Sequence, residues 1–143
     1  MKKKNKKILI IDDDPPILEL YEIWLASWGY EVITAKGGRE ALDMVGSSDY
    51  DLVICDAVMP DISGLEVRKK MFDSCPDTPF ILVSGFSSDD RELKEILSMK
   101  VAKHIQKPVD FPMLKKDIER FISHKGTAAN LAKLPKEKQI SKE

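Results

Sequence analysis

The chain is predicted to be an α/β protein, a doubly wound parallel sheet with helices on both faces. Two observations carry this. Short runs of β-branched and aliphatic residues alternate with stretches of helical periodicity along most of the 143 residues, the signature of successive βα units joined by right-handed crossovers. The apolar runs also end on polar, chemically capable residues: Asp12 and Asp13, Asp56, Ser84 and Lys107. In a parallel sheet these residues meet at the carboxyl edge, where open α/β sheets bind their ligands.

Lys7 to Ile11 is a run rich in β-branched isoleucine, as expected of a strand covered on both faces. Pro15 and Pro16 suit the first turn of a helix, where a missing N–H costs nothing. From there Ile17, Leu20, Tyr21, Trp24, Leu25 and Trp28 recur at helical spacing, and Gly29 closes the helix. Glu31 to Ala35 reads as the second strand. Gly37 to Val45 reads as the second helix, with Ala41, Leu42 and Val45 inward. Asp51 to Cys55 is the third strand, and Leu65 to Phe72 is a helix begun after Gly64. Pro76 and Pro79 bracket a turn before the fourth strand, Phe80 to Val83. Ser88-Asp89-Asp90 start a fourth helix running to about Met99, with Leu93, Ile96 and Leu97 as its buried stripe. The fifth strand lies near Ala102 to Gln106. The last helix spans about Phe111 to His124, with Leu114, Ile118, Phe121 and Ile122 facing the core.

These five βα units place one domain at residues 1–125. Residues 126–143 are polar and lysine-rich and read as a flexible tail or linker. The length suffices for a real core without staples. A net charge of −1 excludes a nucleic-acid-coating protein, and the lysines at positions 2–4, 6 and 7 lack the interleaved aromatics of a nucleic-acid arm. Cys55 and Cys75 have neither metal-ligand nor disulfide-framework spacing, so reduced thiols and a cytoplasmic setting are expected. No stretch has membrane-spanning length, and the N-terminus lacks the apolar core of a secretory signal.

Clustered carboxylates repel one another unless a cation sits among them, and a lysine with a nearby hydroxyl suits a phosphoryl group. The residues therefore ask for a divalent metal and a phosphate. Read more plainly, Asp12 to Asp14 cap the helix that begins at Pro15, and the methionines and the Trp24/Trp28 pair fill core or surface.

Taken in order, Ile8-Leu9-Ile10-Ile11-Asp12-Asp13-Asp14, Asp56-Ala57-Val58-Met59-Pro60 with Gly64, Val83-Ser84-Gly85, and Gln106-Lys107-Pro108 resemble the receiver domain of two-component response regulators. The resemblance covers about residues 6 to 124. It implies the flavodoxin-like form of the fold: five strands in the order 2-1-3-4-5 and five helices. It also implies a role for each residue. Asp56 is the phosphoacceptor, a carboxylate nucleophile that keeps the phosphoryl group. Asp13, Asp56 and the backbone carbonyl of Val58 bind Mg²⁺, with Mn²⁺ as a substitute, and Asp12 binds through a water. Lys107 pairs with a phosphoryl oxygen. Ser84 gives its hydroxyl to another, helped by the backbone N–H groups of Ala57 and Gly85. Asp14 points toward the next helix, the Lys107–Pro108 bond is cis, and Gly64 takes a backbone conformation closed to other residues.

In similar domains the phosphoryl group comes from a sensor histidine kinase or phosphotransfer protein. Its arrival draws the hydroxyl residue inward and turns an aromatic on the fifth strand. This reshapes the face of the fourth helix, fifth strand and fifth helix for partner binding or dimerisation. The matching position here is His104, whose smaller, titratable ring implies weaker or pH-sensitive coupling; the plainer expectation is a partly exposed strand residue. Val58 and Phe86 flank the path of the hydrolytic water in similar domains, and apolar groups there imply a phosphoryl state lasting many minutes or longer.

No helix-turn-helix pattern, P-loop or further catalytic motif is read after Lys125. The expectation is either a stand-alone module or one domain of a longer regulator, with an unknown output partner. Two alternatives stand beside the signalling phosphoacceptor. A haloacid-dehalogenase-type phosphohydrolase also uses an Asp-x-Asp after a strand, here Asp12 and Asp14, although Pro16 stands where threonine or valine is usual. A phosphorylation-independent interaction module has no need of an intact Asp13, Asp56 and Lys107.

Overall fold

The computed structural model describes residues 5–46, 48–85, 98 and 100–123. The expected helix from Ser88 to Met99 lies outside them except for Ser98, as do Phe86, His124 and residues 126–143. The described elements are β1 (Lys7–Ile11), α1 (Pro15–Ser27), β2 (Glu31–Ala35), α2 (Gly38–Val45), β3 (Leu52–Asp56), α3 (Gly64–Ser74), β4 (Phe80–Ser84), β5 (Lys103–Gln106) and α4 (Phe111–Ser123). The five strands form one sheet in the order β2-β1-β3-β4-β5, every pair parallel.

Alternation along the strands divides the core in two. Ile8, Ile10, Leu52, Ile54, Ile81 and Val83 face α1 and α4, packing against Leu18, Tyr21, Leu25, Leu114 and Ile118. Leu9, Ile11, Val53, Cys55 and Leu82 face the other way, onto Ala41, Val67 and Met71 of α2 and α3. A strand buried on both sides has no polar face to show, so β1, β3 and β4 read as unbroken apolar runs.

α1 begins on Pro15 and ends in a turn where Gly29 holds φ +95°, a left-handed conformation that favours glycine. Helical spacing alone does not say which residues of α1 face the sheet. Leu18, Tyr21 and Leu25 are buried, whereas Leu20 and Trp24 remain about 40 % exposed. α1 is apolar around more than one face, so periodicity alone could not choose which side meets the sheet. Trp24 instead stacks on Phe111 of α4, with ring centroids 5.2 Å apart and planes 4° off parallel. Tyr21 meets the same ring edge-on at 5.5 Å. A second tie fixes α4: Lys103 of β5 reaches both oxygens of buried Asp117, at 2.9 and 2.8 Å.

Gly64 departs from expectation in its cause. Its φ is not positive; what excludes a side chain is space. A Cβ there would lie 2.4 Å from the Asp56 carbonyl oxygen and 2.8 Å from Leu82 Cδ1. The Gly64 N–H also donates to the Ala57 carbonyl at 2.9 Å, drawing the loop after Asp56 tightly onto the start of α3.

Candidate phosphoacceptor site

Each site residue is delivered by the end of a strand. β1 runs out at Ile11, so Asp12 and Asp13 lie just past the sheet edge; β3 ends on Asp56, β4 on Ser84, and β5 leads into Lys107. Registers of Ile11 with Cys55 and Asp56 with Val83 bring these ends level. Carboxylate oxygens of Asp12, Asp13 and Asp56 lie within 4.8 Å of one another. Asp12 and Asp56 are buried and Asp13 is exposed. Asp14 is not in the group. It occupies the N-cap position of α1, but its side chain makes no capping bond, and its N–H donates to Asp12 Oδ1 at 2.9 Å. The Asp14 side chain thus does not cap α1, and Asp14 stands outside the three clustered carboxylates.

The electrostatics follow from the crowding. Burial lifts the Asp12 carboxyl to about 6, with the charges of Asp56 and Asp13 adding to the rise; the Asp14 N–H and the Lys107 ammonium pull the other way. Three carboxylates this close together, all oxygen donors, fit a hard divalent cation such as Mg²⁺.

On the opposite wall Lys107 Nζ stands 3.3 Å from Asp56 Oδ2, and the Lys107–Pro108 bond is cis. The Val58 N–H donates to Asp56 Oδ1, at 3.3 Å. The Ala57 N–H, expected at the phosphoryl group, donates instead to Val83 O at 2.7 Å as the last rung of the β3–β4 ladder. Parallel pairing of Asp56 with Val83 commits that hydrogen to the strand. Gly85 is exposed beside Ser84. Ser84 is buried, and its Oγ lies 2.7 Å from His104 Nε2. His104 is thus half-buried, as the plainer reading expects, and also bonded to the hydroxyl residue.

Two features were not legible beforehand. Asp61 reaches back from the loop after β3 to accept from the Gly38 and Arg39 N–H groups at 3.2 and 2.9 Å, and from its neighbour Ile62 at 2.7 Å. These bonds, that from Arg39 foremost, hold its carboxyl below the usual range. The missing signal was Gly37-Gly38 itself, a helix start with no capping side chain of its own. The second is a groove of about 350 Å³, lined by Ile17, Leu20, Tyr21, Pro108, Val109 and Phe111 together with Asp14 and the site's own Lys107.

Comparison with known proteins agrees with this geometry. The family of the response regulator receiver domain matches residues 8–119. The transcriptional regulatory protein ZraR of Escherichia coli K12 is 32 % identical over 124 residues, 87 % of this chain and 28 % of ZraR. The response regulator SaeR of Staphylococcus epidermidis is 35 % identical over 101 residues, 71 % of this chain and 43 % of SaeR. The chain therefore spans less than half the length of either relative. Among solved structures, a CheY-like response regulator receiver domain protein from Methanospirillum hungatei superposes with a TM-score of 0.80 at 29 % identity, covering 85 % of this chain and 96 % of that one. The Thermotoga maritima response regulator TrrA, solved in complex with Mg²⁺ and BeF, gives 0.73 at 37 % identity, with coverage of 81 % and 98 %. With the strand order, the acid cluster and the lysine already in place, this chain belongs to the response regulator receiver domains, the phosphoacceptor modules of two-component signalling.

Proposed function

We propose that Asp56 accepts a phosphoryl group from a phosphohistidine on a sensor histidine kinase or phosphotransfer protein, and that the acyl phosphate so formed is the signal. One observation carries this: Asp56 is the single residue shared by the carboxylate cluster and the lysine pair. A carboxylate oxygen of Asp56 attacks phosphorus, the new P–O bond forms as the donor's P–N bond breaks, and the electron pair leaves on the imidazole nitrogen. Asp13, Asp56 and the Val58 carbonyl hold Mg²⁺, or Mn²⁺, with Asp12 acting through a water. When bound, the cation cancels charge between donor oxygens and carboxylates. Lys107 moves from Asp56 Oδ2 to a phosphoryl oxygen, Ser84 donates its hydroxyl, and the Val58 and Gly85 N–H groups serve the remaining oxygens. Ala57 joins only by releasing Val83.

The donor approaches over the carboxyl edge and meets the groove lined by Leu20, Tyr21, Lys107 and Phe111. Output passes through the face around β5 and α4, to a partner, a second copy or a further domain. The naming of ZraR as a transcriptional regulatory protein supports an output in transcription, by way of other chain or partner rather than DNA contacts of this domain. Residues 126–143 serve as linker or tail. Val58 is 56 % exposed and apolar, which favours slow hydrolysis by leaving the water unoriented there; Phe86 is its expected companion.

Phosphoramidate, whose P–N bond copies phosphohistidine, tests the reading beside p-nitrophenyl phosphate. A single phosphoryl adduct that persists for many minutes, with no turnover of the ester, is the expected result. Steady release of nitrophenolate would overturn it in favour of a hydrolase, and adduct loss within seconds would overturn the slow lifetime.

A further inference from the structure

Ser84 and His104 stand diagonally on one face of neighbouring strands, since His104 is in register with Leu82 and Gln106 with Ser84. The buried Ser84 Oγ is 2.7 Å from His104 Nε2. A serine hydroxyl carries one proton, while a phosphoryl oxygen only accepts. If Ser84 is to stabilise a phosphoryl group on Asp56, that one proton must point there. Toward His104 the oxygen then offers only lone pairs, and a 2.7 Å contact persists only if Nε2 carries hydrogen. Two lone pairs facing each other at that distance would repel.

We infer that His104 is a positioning residue for the phosphoryl pocket: in the phosphorylated protein its Nε2–H donates to Ser84 Oγ and so aims the single hydroxyl proton at the phosphoryl oxygen. The inference rests on the reading of Asp56 as phosphoacceptor. The hydrogen bonds that the two ring nitrogens make decide which of them carries hydrogen. The strand-five histidine thus registers the chemistry at Asp56 through Ser84, by the position of a proton.

The chain has two histidines, His104 and His124, so ¹⁵N-histidine labelling with a His104→Gln variant for assignment isolates the ring. Spectra of the full chain are taken with Mg²⁺ and acetyl phosphate, and the adduct is counted by intact mass in the same samples. The expected result is a hydrogen-bearing Nε2 on His104 in the phosphorylated protein, with its resonance shifted in Ser84→Ala, where the acceptor is gone. Kinetics give a second readout. His104→Gln, which keeps an N–H donor, holds the phosphorylation rate within about twofold, and His104→Phe slows it about five- to tenfold, the worth of one hydrogen bond. A bare Nε2 in protein that carries the adduct, or an unchanged ring in Ser84→Ala, overturns the inference alone. Absence of any adduct in the wild-type chain overturns the phosphoacceptor reading and the inference with it.

Discussion

On the β1 and β3 side of the pocket, three carboxylates share a space 4.8 Å across, and Asp12 is pushed to about 6 by burial and by its neighbours. On the β4 and β5 side the polar groups already have partners: Lys107 holds Asp56 at 3.3 Å and Ser84 holds His104 at 2.7 Å. The first wall stores unfavourable charge and is relieved by something brought from outside. The second is satisfied as it stands: Lys107 has only to exchange Asp56 for a phosphoryl oxygen, and Ser84 to turn its proton. A pocket built this way binds its cation by removing repulsion and responds to phosphate by redirecting bonds that already exist.

The largest effect expected is on the residue that belongs to both walls. Asp56→Asn removes the nucleophile, and the phosphoryl adduct disappears altogether, as intact mass would show. Lys107→Gln attacks the second wall alone: a charge-assisted bond is worth about 1.5 to 3 kcal/mol, so phosphorylation by a small donor slows roughly 10- to 150-fold while Mg²⁺ binding is kept. A Lys107→Gln protein that labels at the wild-type rate would mean that the lysine only pairs with Asp56 at rest.

The acidic wall is tested by pH. The folded Asp12 carboxyl lies at about 6 against an ordinary value of 3.8, so between these values the folded protein binds more protons than the unfolded one. The stability that Asp12 contributes without metal is therefore fully present below the lower value and is lost as pH rises through the window. At 1.36 kcal/mol per unit the loss by neutral pH is on the order of 3 kcal/mol. Asp12→Asn abolishes that loss, so the metal-free variant gains on wild type in urea melts as pH climbs from 4 to 7. Mg²⁺ should stabilise wild type more at pH 7 than at pH 5. A flat difference across pH would show that burial and the neighbouring acids do not raise the Asp12 carboxyl in the folded protein.

The loop between the walls gives a further effect of about 1 to 3 kcal/mol. Gly64→Ala forces a methyl group against the Asp56 carbonyl and Leu82, and this overpacking lowers the urea midpoint. A variant of unchanged stability would mean that the loop gives way freely and does not fix Asp56. Asp61→Ala, which removes an exposed cap from α2, costs less, about 1 kcal/mol.

The same contrast explains what was readable beforehand. Strands buried on both faces must be apolar throughout, and a polar residue directly after such a run marks the sheet's carboxyl edge; hence β1, β3, β4 and the acids were legible. The side chosen by α1 was not, because Ile17, Leu18, Leu20, Ile23 and Trp24 make it apolar over a wide arc, and only contact with Phe111 decides which are left outside. Nor was the bond from Ser84 to His104, since it depends on the register between two strands 20 residues apart. Arg68 makes the same point from the core. A charged side chain is buried there because the rings of Phe72 and Phe80, 5.0 and 5.6 Å away, cover its guanidinium, and the Lys100 carbonyl accepts from it at 3.2 Å. Local pattern shows which faces are buried, whereas partners distant in sequence appear only after folding.

The most direct test of the account is the intact mass of the full chain after acetyl phosphate, with and without Mg²⁺, beside Asp56→Asn. The account predicts one added phosphoryl group on the wild-type protein, dependent on Mg²⁺ and absent from the variant. An adduct of equal yield without the cation, or one that survives in Asp56→Asn, would contradict it.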